Sequence, residues 1–234
     1  DNGTLDYTGD DKTVAFTKVY DQDNKELYFS ASPLLRSIAQ DKNGVIWIGT
    51  TKGIFLINDP AKMFEANFRV YRIKIPRNDG TGLADYLLDT EEIKAIAVDG
   101  ANRKWIGTAT SGIYLVSEDG LETIHHFTTQ NSPLLSDAIQ SIAINDKTGE
   151  VFIGTGNGLI SYQSDAIEGG DIFKNVRAYP NPVRPEYNGL ITLIGLIDNT
   201  QIRITDVNGN LVYETRSNGG VATWDACNLS GSRV

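Results

Sequence analysis

The chain has 234 residues, and its hydrophobic fraction of 40% is enough to build the cores of one large all-β domain or of two ordinary domains. A formal net charge of -9 argues against nucleic acid and anionic lipid as partners. One cysteine and two histidines are too few for an intrachain disulfide framework or a Cys/His zinc site. No apolar run is long enough to span a membrane. The first residues also lack a signal-peptide pattern, so a signal peptide is either absent or upstream.

The first motif in chain order is "DQDNKE", residues 21–26. Its acidic spacing is similar to half of a calcium-binding loop, but the central glycine and the later bidentate glutamate are missing. We therefore predict a solvated turn here and assign no metal site.

A longer motif, "DKNGVIWIGTTKGIFLIND" (41–59), occurs again at 99–119 and 145–165. When the copies are aligned on their Gly-Thr pair, the aromatic residues are 58 and 47 residues apart (105 − 47 and 152 − 105). Periods of this length, made of short strands and turn residues, predict the blades of a β-propeller. The unequal spacing predicts a longer connection within residues 76–92.

Each copy predicts a blade of four antiparallel strands. The inner strand carries a recurring alanine, the second strand is apolar on both faces, and a glycine begins the third strand. More polar outer strands are expected at 67–73 and 122–129. We predict that the aromatic residues of the second strands lie at equivalent, buried positions in three consecutive sheets, namely Trp47, Trp105 and Phe152. The Gly-Thr glycines mark close backbone approach rather than a nucleotide site, because no helix or lysine of a phosphate-binding loop follows them.

These repeats resemble the two-component regulator propeller repeat over residues 32–166, and residues 12–30 are similar to the end of an earlier blade. The resemblance implies rings of about seven blades, found in periplasmic sensors of hybrid histidine kinases and in secreted surface proteins. Three blades and part of a fourth are too few to close a ring. We therefore expect residues 1–170 to be the C-terminal blades of a larger propeller and to form an open arc.

The repeats stop near residue 170, and residues 174–234 predict a small Ig-like β-sandwich. "YPNP" opens this part, an Asn-Gly turn at 208–209 predicts a hairpin, and a Gly-Gly turn precedes the strand "VATWD". Together these elements resemble the type A C-terminal sorting domain of the type IX secretion system. The resemblance implies about seven strands, export across both membranes and residence at the cell surface.

Two departures from the sorting-domain pattern change what we expect of its end. The family pattern continues past Val234 with a glycine, an aromatic strand and a short basic end, so this β-sandwich is expected to lack its last strand. Ala226 and Cys227 also stand where a glycine and a basic residue are usual, which weakens the case for a charged contact there.

Residues that could carry chemistry favour structural roles. His125 and His126 are neighbours on a predicted strand, so their side chains point to opposite faces and cannot share a metal without a bulge. The acidic pairs Asp10/Asp11 and Glu91/Glu92 are read as surface charge rather than as glycosidase carboxylates. Cys227 has no histidine beside it and is expected to be packed. Three tryptophans are expected in cores rather than as sugar-stacking platforms, namely Trp47, Trp105 and Trp224.

The sequence thus predicts a protein that is not an enzyme, has no cofactor and carries no assignable catalytic, metal or ligand-binding residue. Its expected role is a recognition or assembly platform of the type IX secretion system, attached to the outer membrane at the cell surface. Expected partners are secretion or attachment proteins, and lipopolysaccharide or another glycan. The alternative is a periplasmic glycan-sensing propeller of a hybrid histidine kinase. The third alternative is a propeller enzyme, and the only argument for it is that this fold hosts many different functions.

Overall fold

The computed structural model describes residues 9, 13, 15–28 and 34–234, and this part of the chain is almost entirely β-structure. The repeats contain β1 Lys18–Asp21, β2 Glu26–Tyr28, β3 Leu35–Gln40, β4 Ile46–Thr50, β5 Gly53–Ile57, β6 Arg69–Val70, β7 Lys74–Pro76, β8 Ala84–Tyr86, β9 Ile93–Val98, β10 Lys104–Thr108, β11 Ile113–Val116, β12 Thr123–Phe127, β13 Ile139–Asn145, β14 Glu150–Thr155 and β15 Gly158–Gln163. The C-terminal part contains β16 Arg177–Tyr179, β17 Ile191–Ile194, β18 Gln201–Thr205, β19 Leu211–Arg216 and β20 Val221–Trp224. Within the described residues the only helix is a 3-10 helix, Pro60–Phe64.

The three sequence repeats form three consecutive antiparallel sheets in one register. We call them blade 1 (β3-β4-β5), blade 2 (β9-β10-β11-β12) and blade 3 (β13-β14-β15). In each blade the predicted aromatic residue of the second strand pairs with the recurring alanine of the inner strand: Trp47 with Ala39, Trp105 with Ala97, and Phe152 with Ala143. The equivalence predicted from the repeat is confirmed, and the fold is a partial β-propeller.

The prediction of four strands in every blade was wrong for blades 1 and 3. Only blade 2 has four strands, because β12 pairs with β11. In blade 1 the fourth position is a single bridge, in which Leu56 and Tyr71 exchange backbone hydrogen bonds of 2.8 Å, while the neighbouring β6 pairs in parallel with β1. The chain then leaves the blade through the β7–β8 hairpin, which is the predicted long connection. In blade 3 the chain turns away after β15.

In blades 1 and 2 the glycine of the Gly-Thr pair is a contact point with the next blade. A Cβ atom on Gly49 would lie 2.6 Å from Cγ2 of Ile93, and one on Gly107 would lie 2.9 Å from Cβ of Ile139. Ile93 and Ile139 are the first residues of the inner strands of the next blades, and both are fully buried. Glycine is therefore required here so that one sheet can approach the next closely.

The threonine of each pair closes the turn that follows. Its hydroxyl donates to the carbonyl oxygen of the glycine that begins the third strand, at 2.9 to 3.0 Å in all three blades. Those glycines, at positions 53, 112 and 158, have positive φ angles, as the predicted turn requires. Turn closure explains the threonine in all three blades, and blade stacking explains the glycine in blades 1 and 2.

The cores lie between blades. Trp47, Ile96 and Ile106 share one cluster between blades 1 and 2, and Trp105 and Val151 share another between blades 2 and 3. A third cluster covers the other side of blade 1, where Ile48 and Phe55 pack against Val19 of β1. The inner strand of blade 1 and the outer face of blade 3 are more open. Ile38, the blade 1 equivalent of Ile96, is 70% exposed whereas Ile96 is 9% exposed. At the other end β14 alternates between buried and half-buried residues, and Phe152 is half-buried rather than buried as predicted.

The C-terminal part forms a three-stranded sheet (β16-β17-β20) and a two-stranded sheet (β18-β19). The predicted hairpin around Gly209 is β18–β19, and "VATW" is β20. The two sheets share a small apolar cluster that includes Leu196, Ile202 and Ala222. An Ig-like β-sandwich stays a prediction. In the described residues there is no helix of the length and apolar character that a membrane crossing needs.

Candidate functional site

The inner strands of blades 1 and 2 are each followed by the same type of turn, centred on Asp41 and Asp99. We call the end of the sheets where these two turns lie the rim. Oδ1 of Asp41 accepts hydrogen bonds from the backbone N–H groups of Asn43 and Val45, both 3.0 Å long. Oδ1 of Asp99 accepts equivalent bonds in blade 2, at 2.9 and 3.0 Å. An aspartate two residues before a backbone donor is a typical Asx turn, and it leaves Oδ2 free for a second partner.

In blade 1 that second oxygen lies on a cleft of about 380 Å³ between blades 1 and 2. Oδ2 of Asp41 accepts from Nε1 of Trp47 and from Nζ of Lys104, both at 3.0 Å. Lys104 comes from blade 2, is fully buried, and also donates to the carbonyl oxygen of Glu118 at 2.6 Å. Its ammonium group lies 4.7 Å from the ring centre of Trp47. The pair therefore joins two blades across the floor of the cleft.

The carboxylates of this cleft are all held in the ionised form. Burial acts to raise the pKa of Asp41, but hydrogen bonds from Trp47 and Lys104 outweigh it and the pKa is lowered. Amide donors from Asn43 and Asn102 lower the pKa of Glu118. The wall thus carries fixed negative charge and hydrogen-bond acceptors. A general acid needs the opposite, a carboxyl whose pKa is raised.

Blade 2 uses its turn aspartate differently. Nε of Arg103 donates to Oδ2 of Asp99 at 2.8 Å, in the place that the tryptophan N–H occupies in blade 1. Trp105 is fully buried, and its Nε1 has no hydrogen-bond partner among the described residues. The equivalent of Arg103 in blade 1 is Val45, which cannot compete for the aspartate. Arg103 therefore replaces the tryptophan as the second hydrogen-bond partner of the turn aspartate.

A second opening, of about 300 Å³, lies between blades 2 and 3 at the edge of β15. Its walls are mainly apolar and include Phe127, Leu134, Ile160 and Tyr162. Phe127 and Tyr162 lie 5.1 Å apart between ring centres and extend the buried cluster of Trp105. The groove offers mainly apolar surface, and desolvation raises the pKa of the Tyr162 hydroxyl in its wall. Its lining suits the binding of apolar groups.

The two histidines were predicted on an outer strand, and the structure places them there. His125 and His126 lie on the outer strand β12, where His126 stacks on Tyr114 at 3.9 Å between ring centres and His125 stacks on Phe127. Nε2 of His126 is 2.7 Å from the carbonyl oxygen of Ser111. The two imidazoles therefore have separate partners and are not brought together.

Of the acidic candidates, Glu91 and Glu92 lie in the part of the chain that the structure describes, and Glu92 has basic partners. Glu92 pairs with Lys94 at 2.8 Å and Arg36 at 2.9 Å, while Asp10 and Asp11 lie outside the described residues. The "DQDNKE" motif is the turn between β1 and β2, as predicted. In the part of the chain that the structure describes, no group of three Asp, Glu, His or Cys residues is placed to hold a metal ion.

The remaining candidates have structural surroundings. Trp47 and Trp105 are core residues, 2% and 0% exposed, as predicted. Trp224 is half-buried, stacks on Tyr213, and donates from Nε1 to the carbonyl oxygen of Cys227 at 2.7 Å. Cys227 is half-buried, and both desolvation and the adjacent Asp225 raise the pKa of its thiol. A raised pKa reduces the thiolate fraction and hence the reactivity.

Sequence reasoning missed the residues that organise the rim. Asp41 and Asp99 stand six residues before the blade tryptophans in both copies, and "RK" at 103–104 interrupts an otherwise apolar strand. That interruption was the available signal for buried ion pairs. Lys104 pairs with Asp41 of blade 1, and Arg103 pairs with Asp165 of the connector as well as with the nearby Asp99. The two distant pairings were not visible in the local pattern.

Comparison with known proteins agrees with this architecture. The family model described as two component regulator propeller matches residues 21–52. Among solved structures, PorZ, described as an essential bacterial surface component of the type IX secretion system of Porphyromonas gingivalis, is 33% identical with a TM-score of 0.68. The alignment covers 99% of this chain and 31% of PorZ. The chain therefore spans less than two thirds of the length of that relative.

A second solved structure is the extracellular domain of a hybrid two-component system from B. thetaiotaomicron. It is 21% identical, with a TM-score of 0.45, and the match covers 89% of this chain and 30% of that chain. A likeness this low carries no functional argument. No curated protein sequence matches the chain.

Proposed function

We propose that this chain is part of a PorZ-like, non-enzymatic component of a type IX secretion system that acts as a recognition or assembly platform at the cell surface. One observation carries the proposal. The 33% identity to PorZ extends over 99% of the chain, so it includes the blades and the C-terminal part together. A propeller resemblance alone would favour many functions, but a shared succession of both parts restricts the choice.

The chemistry of the site supports a role in binding rather than in catalysis. The pKa values of Asp41 and Glu118 in the cleft between blades 1 and 2 are lowered, so neither carboxyl is poised as a general acid. Lys104 is committed to Asp41 and to a carbonyl oxygen. The polar cleft between blades 1 and 2 and the apolar groove between blades 2 and 3 each suit the recognition of a partner. A lipopolysaccharide or other glycan partner stays a prediction.

The proposal includes a division of labour along the chain. Residues 1–170 would be the last blades of a larger propeller, and residues 174–234 would be a sorting-type β-sandwich. The hairpin β18–β19 and the strand β20 lie where the sorting-domain pattern predicts strands, which supports this division. In this view the C-terminal part directs passage through the outer membrane, and the blades carry the recognition surface.

Protease accessibility in the native host tests the proposal. Intact protein should be cleaved by protease added to whole cells, while a periplasmic marker stays uncut and shows that the outer membrane is closed. Protein lacking residues 176–234 should accumulate in the periplasm and be protected. Equal cleavage of the intact and truncated proteins in whole cells would refute the sorting role.

The second candidate is a periplasmic sensor propeller of a hybrid two-component system. It is favoured by the description of the family model that matches residues 21–52. The same experiment separates the two functions. A sensor in the periplasm should resist protease in whole cells and become sensitive only after the outer membrane is permeabilised, and this outcome would contradict surface residence.

A further inference from the structure

We propose that the C-terminal part of the chain, residues 174–234, is locked onto the rim of blade 2, with Arg103 as the latch, so that blades and C-terminal part work as one rigid body. Parts of a chain joined by a short connector move relative to each other by default unless their interface is unusually tight. The junction here has three features that oppose such movement: a buried arginine that forms an ion pair with the connector, a glycine-lined seam and hydrogen bonds that close the seam.

The first feature is the guanidinium of Arg103, which is 8% exposed and contacts two elements. Nε donates to Asp99 in the blade 2 turn at 2.8 Å. Nη2 donates to Asp165 at 2.8 Å and to Ser164 at 3.1 Å, both in the connector that leaves blade 3. Asp165 in turn accepts from Nδ2 of Asn218, in the C-terminal part, at 3.0 Å. One buried cation thus ties blade 2 to the connector and, through it, to the C-terminal part.

The second feature is a seam at which three backbone segments contact one another directly, with no side chain between them. Gly100 of blade 2, Ile167 of the connector and Gly219 of the C-terminal part lie against one another. A Cβ atom on Gly219 would be 2.7 Å from the carbonyl oxygen of Gly100 and closer still to that of Ile167. Gly219 also has a φ of +63°, which other residues rarely adopt. The seam therefore requires glycine for two independent reasons.

The third feature is a set of hydrogen bonds that close the seam. The N–H of Gly220 donates to the carbonyl oxygen of Ile167 at 2.9 Å, and the N–H of Glu168 donates to the carbonyl oxygen of Asp146 in blade 3 at 2.8 Å. Nζ of Lys42, from blade 1, donates to the carbonyl oxygen of Gly100 at 2.6 Å and pairs with Glu168 at 2.9 Å. All three blades therefore contact the connector or the segment that it touches.

The arrangement has a functional consequence whichever partner the protein has. A cleft of about 320 Å³ is lined from one side by Arg103 and Glu118 of blade 2 and from the other by Asp198, Asn199 and Arg216 of the C-terminal part. This cleft exists only while the two parts are docked. A partner that contacts the C-terminal part in this orientation would also meet the blade 2 rim.

Blade 1 supplies the variant that tests the latch. Val45 stands at the position of Arg103, and there Trp47 donates its N–H to the turn aspartate. Arg103→Val should therefore leave blade 2 folded, because Trp105 has a partnerless Nε1 that can take over Asp99 as Trp47 does with Asp41. Asp165→Asn is a second variant, which weakens the latch and leaves the Asp99 ion pair in place.

The measurement is hydrogen exchange of the seam amides of Glu168 and Gly220 in the full chain, because exchange reports local opening. We expect exchange at both amides to be at least tenfold faster in Arg103→Val and several-fold faster in Asp165→Asn. The amide of Thr108, which donates within blade 2, should be unchanged. Arg203→Val is the matched control, since that arginine makes only an exposed ion pair within the C-terminal part.

Unchanged exchange at both seam amides in both variants would overturn the proposal. If Arg103→Val also accelerates Thr108, blade 2 itself has loosened, and Asp165→Asn then decides alone. Acceleration in the Arg203→Val control equal to that in the latch variants would likewise refute a specific role for Arg103. The result does not depend on secretion, so it is distinguishable from failure of the proposed function.

Discussion

A matched pair of substitutions, Gly107→Ala and Gly154→Ala, tests whether glycine is needed for the close packing of successive blades. The two glycines are equivalent in the repeat, but only the first has a following blade against it. A Cβ atom at 107 would lie 2.9 Å from Cβ of Ile139, which is fixed to the backbone of the next inner strand. A Cβ atom at 154 would meet only the hydroxyl of Ser141, at 2.5 Å, in its own blade. That hydroxyl can rotate away.

The magnitudes follow from two opposing effects. Overpacking a closed site costs about 1–3 kcal/mol, whereas replacing glycine by alanine stabilises by about 0.4–1 kcal/mol through the unfolded chain. We therefore expect Gly107→Ala to lower the free energy of unfolding by about 1–2 kcal/mol and Gly154→Ala to change it by less than about 0.5 kcal/mol in either direction. Urea denaturation, followed by tryptophan fluorescence, measures both midpoints and shows whether the slope is unchanged.

A double mutant identifies the cause. Ile139→Ala removes Cγ2 of Ile139, which would lie 2.4 Å from the new methyl group, and keeps the Cβ atom at 2.9 Å. The clash is therefore partly relieved, and the combined variant Gly107→Ala/Ile139→Ala should be more stable than the sum of the single effects predicts. Equal destabilisation by the two glycine substitutions would show that strand geometry, rather than the neighbouring blade, requires glycine. Strict additivity in the double mutant would refute the contact itself.

Three further predictions concern the polar groups that join the blades and the connector. Trp47→Phe should destabilise by about 1.5 kcal/mol more than Trp105→Phe in urea denaturation, since only Trp47 donates to a carboxylate; equal losses would contradict this. Lys104→Met should cost about 3 kcal/mol, because Asp41 loses its buried cation, and a loss below about 1 kcal/mol would show that the pair is not important. Burial acts to raise the pKa of Asp165, but Arg103 outweighs it and the pKa is lowered, so its contribution is present above pH about 4 and lost as the pH falls through the folded-state pKa. Denaturation midpoints of Asp165→Asn should therefore depend less on pH below 4 than those of the wild type, and parallel profiles would contradict this.

The repeat made much of the blade geometry predictable. Once the copies are aligned on Gly-Thr, one register predicts Trp47, Trp105 and Phe152 at equivalent positions, and the structure pairs each of them with an inner-strand alanine. Periodicity predicts what each blade shares. It does not predict what differs at the ends, which is why Phe152 is half-buried and why two of the blades have only three strands.

The polar architecture of the rim was not predictable in the same way. Arg103 and Lys104 occupy strand positions that the pattern reserves for apolar residues, and their partners lie on other elements. A buried charge is tolerated only when such partners exist. Local sequence can reveal that a charge breaks the pattern, but it cannot show which distant carboxylate neutralises it. The candidate clefts depend on these long-range pairs, so they appeared only in the three-dimensional structure.

Deletion of the gene in the native host tests the proposed role in type IX secretion most directly. The quantity to measure is the fraction of a cargo protein with a type IX sorting signal that reaches the cell surface, in the deletion strain and in the same strain carrying a wild-type copy. We predict that cargo accumulates in the periplasm without the protein and returns to the surface with the wild-type copy. Unchanged cargo at the surface of the deletion strain would contradict the claim.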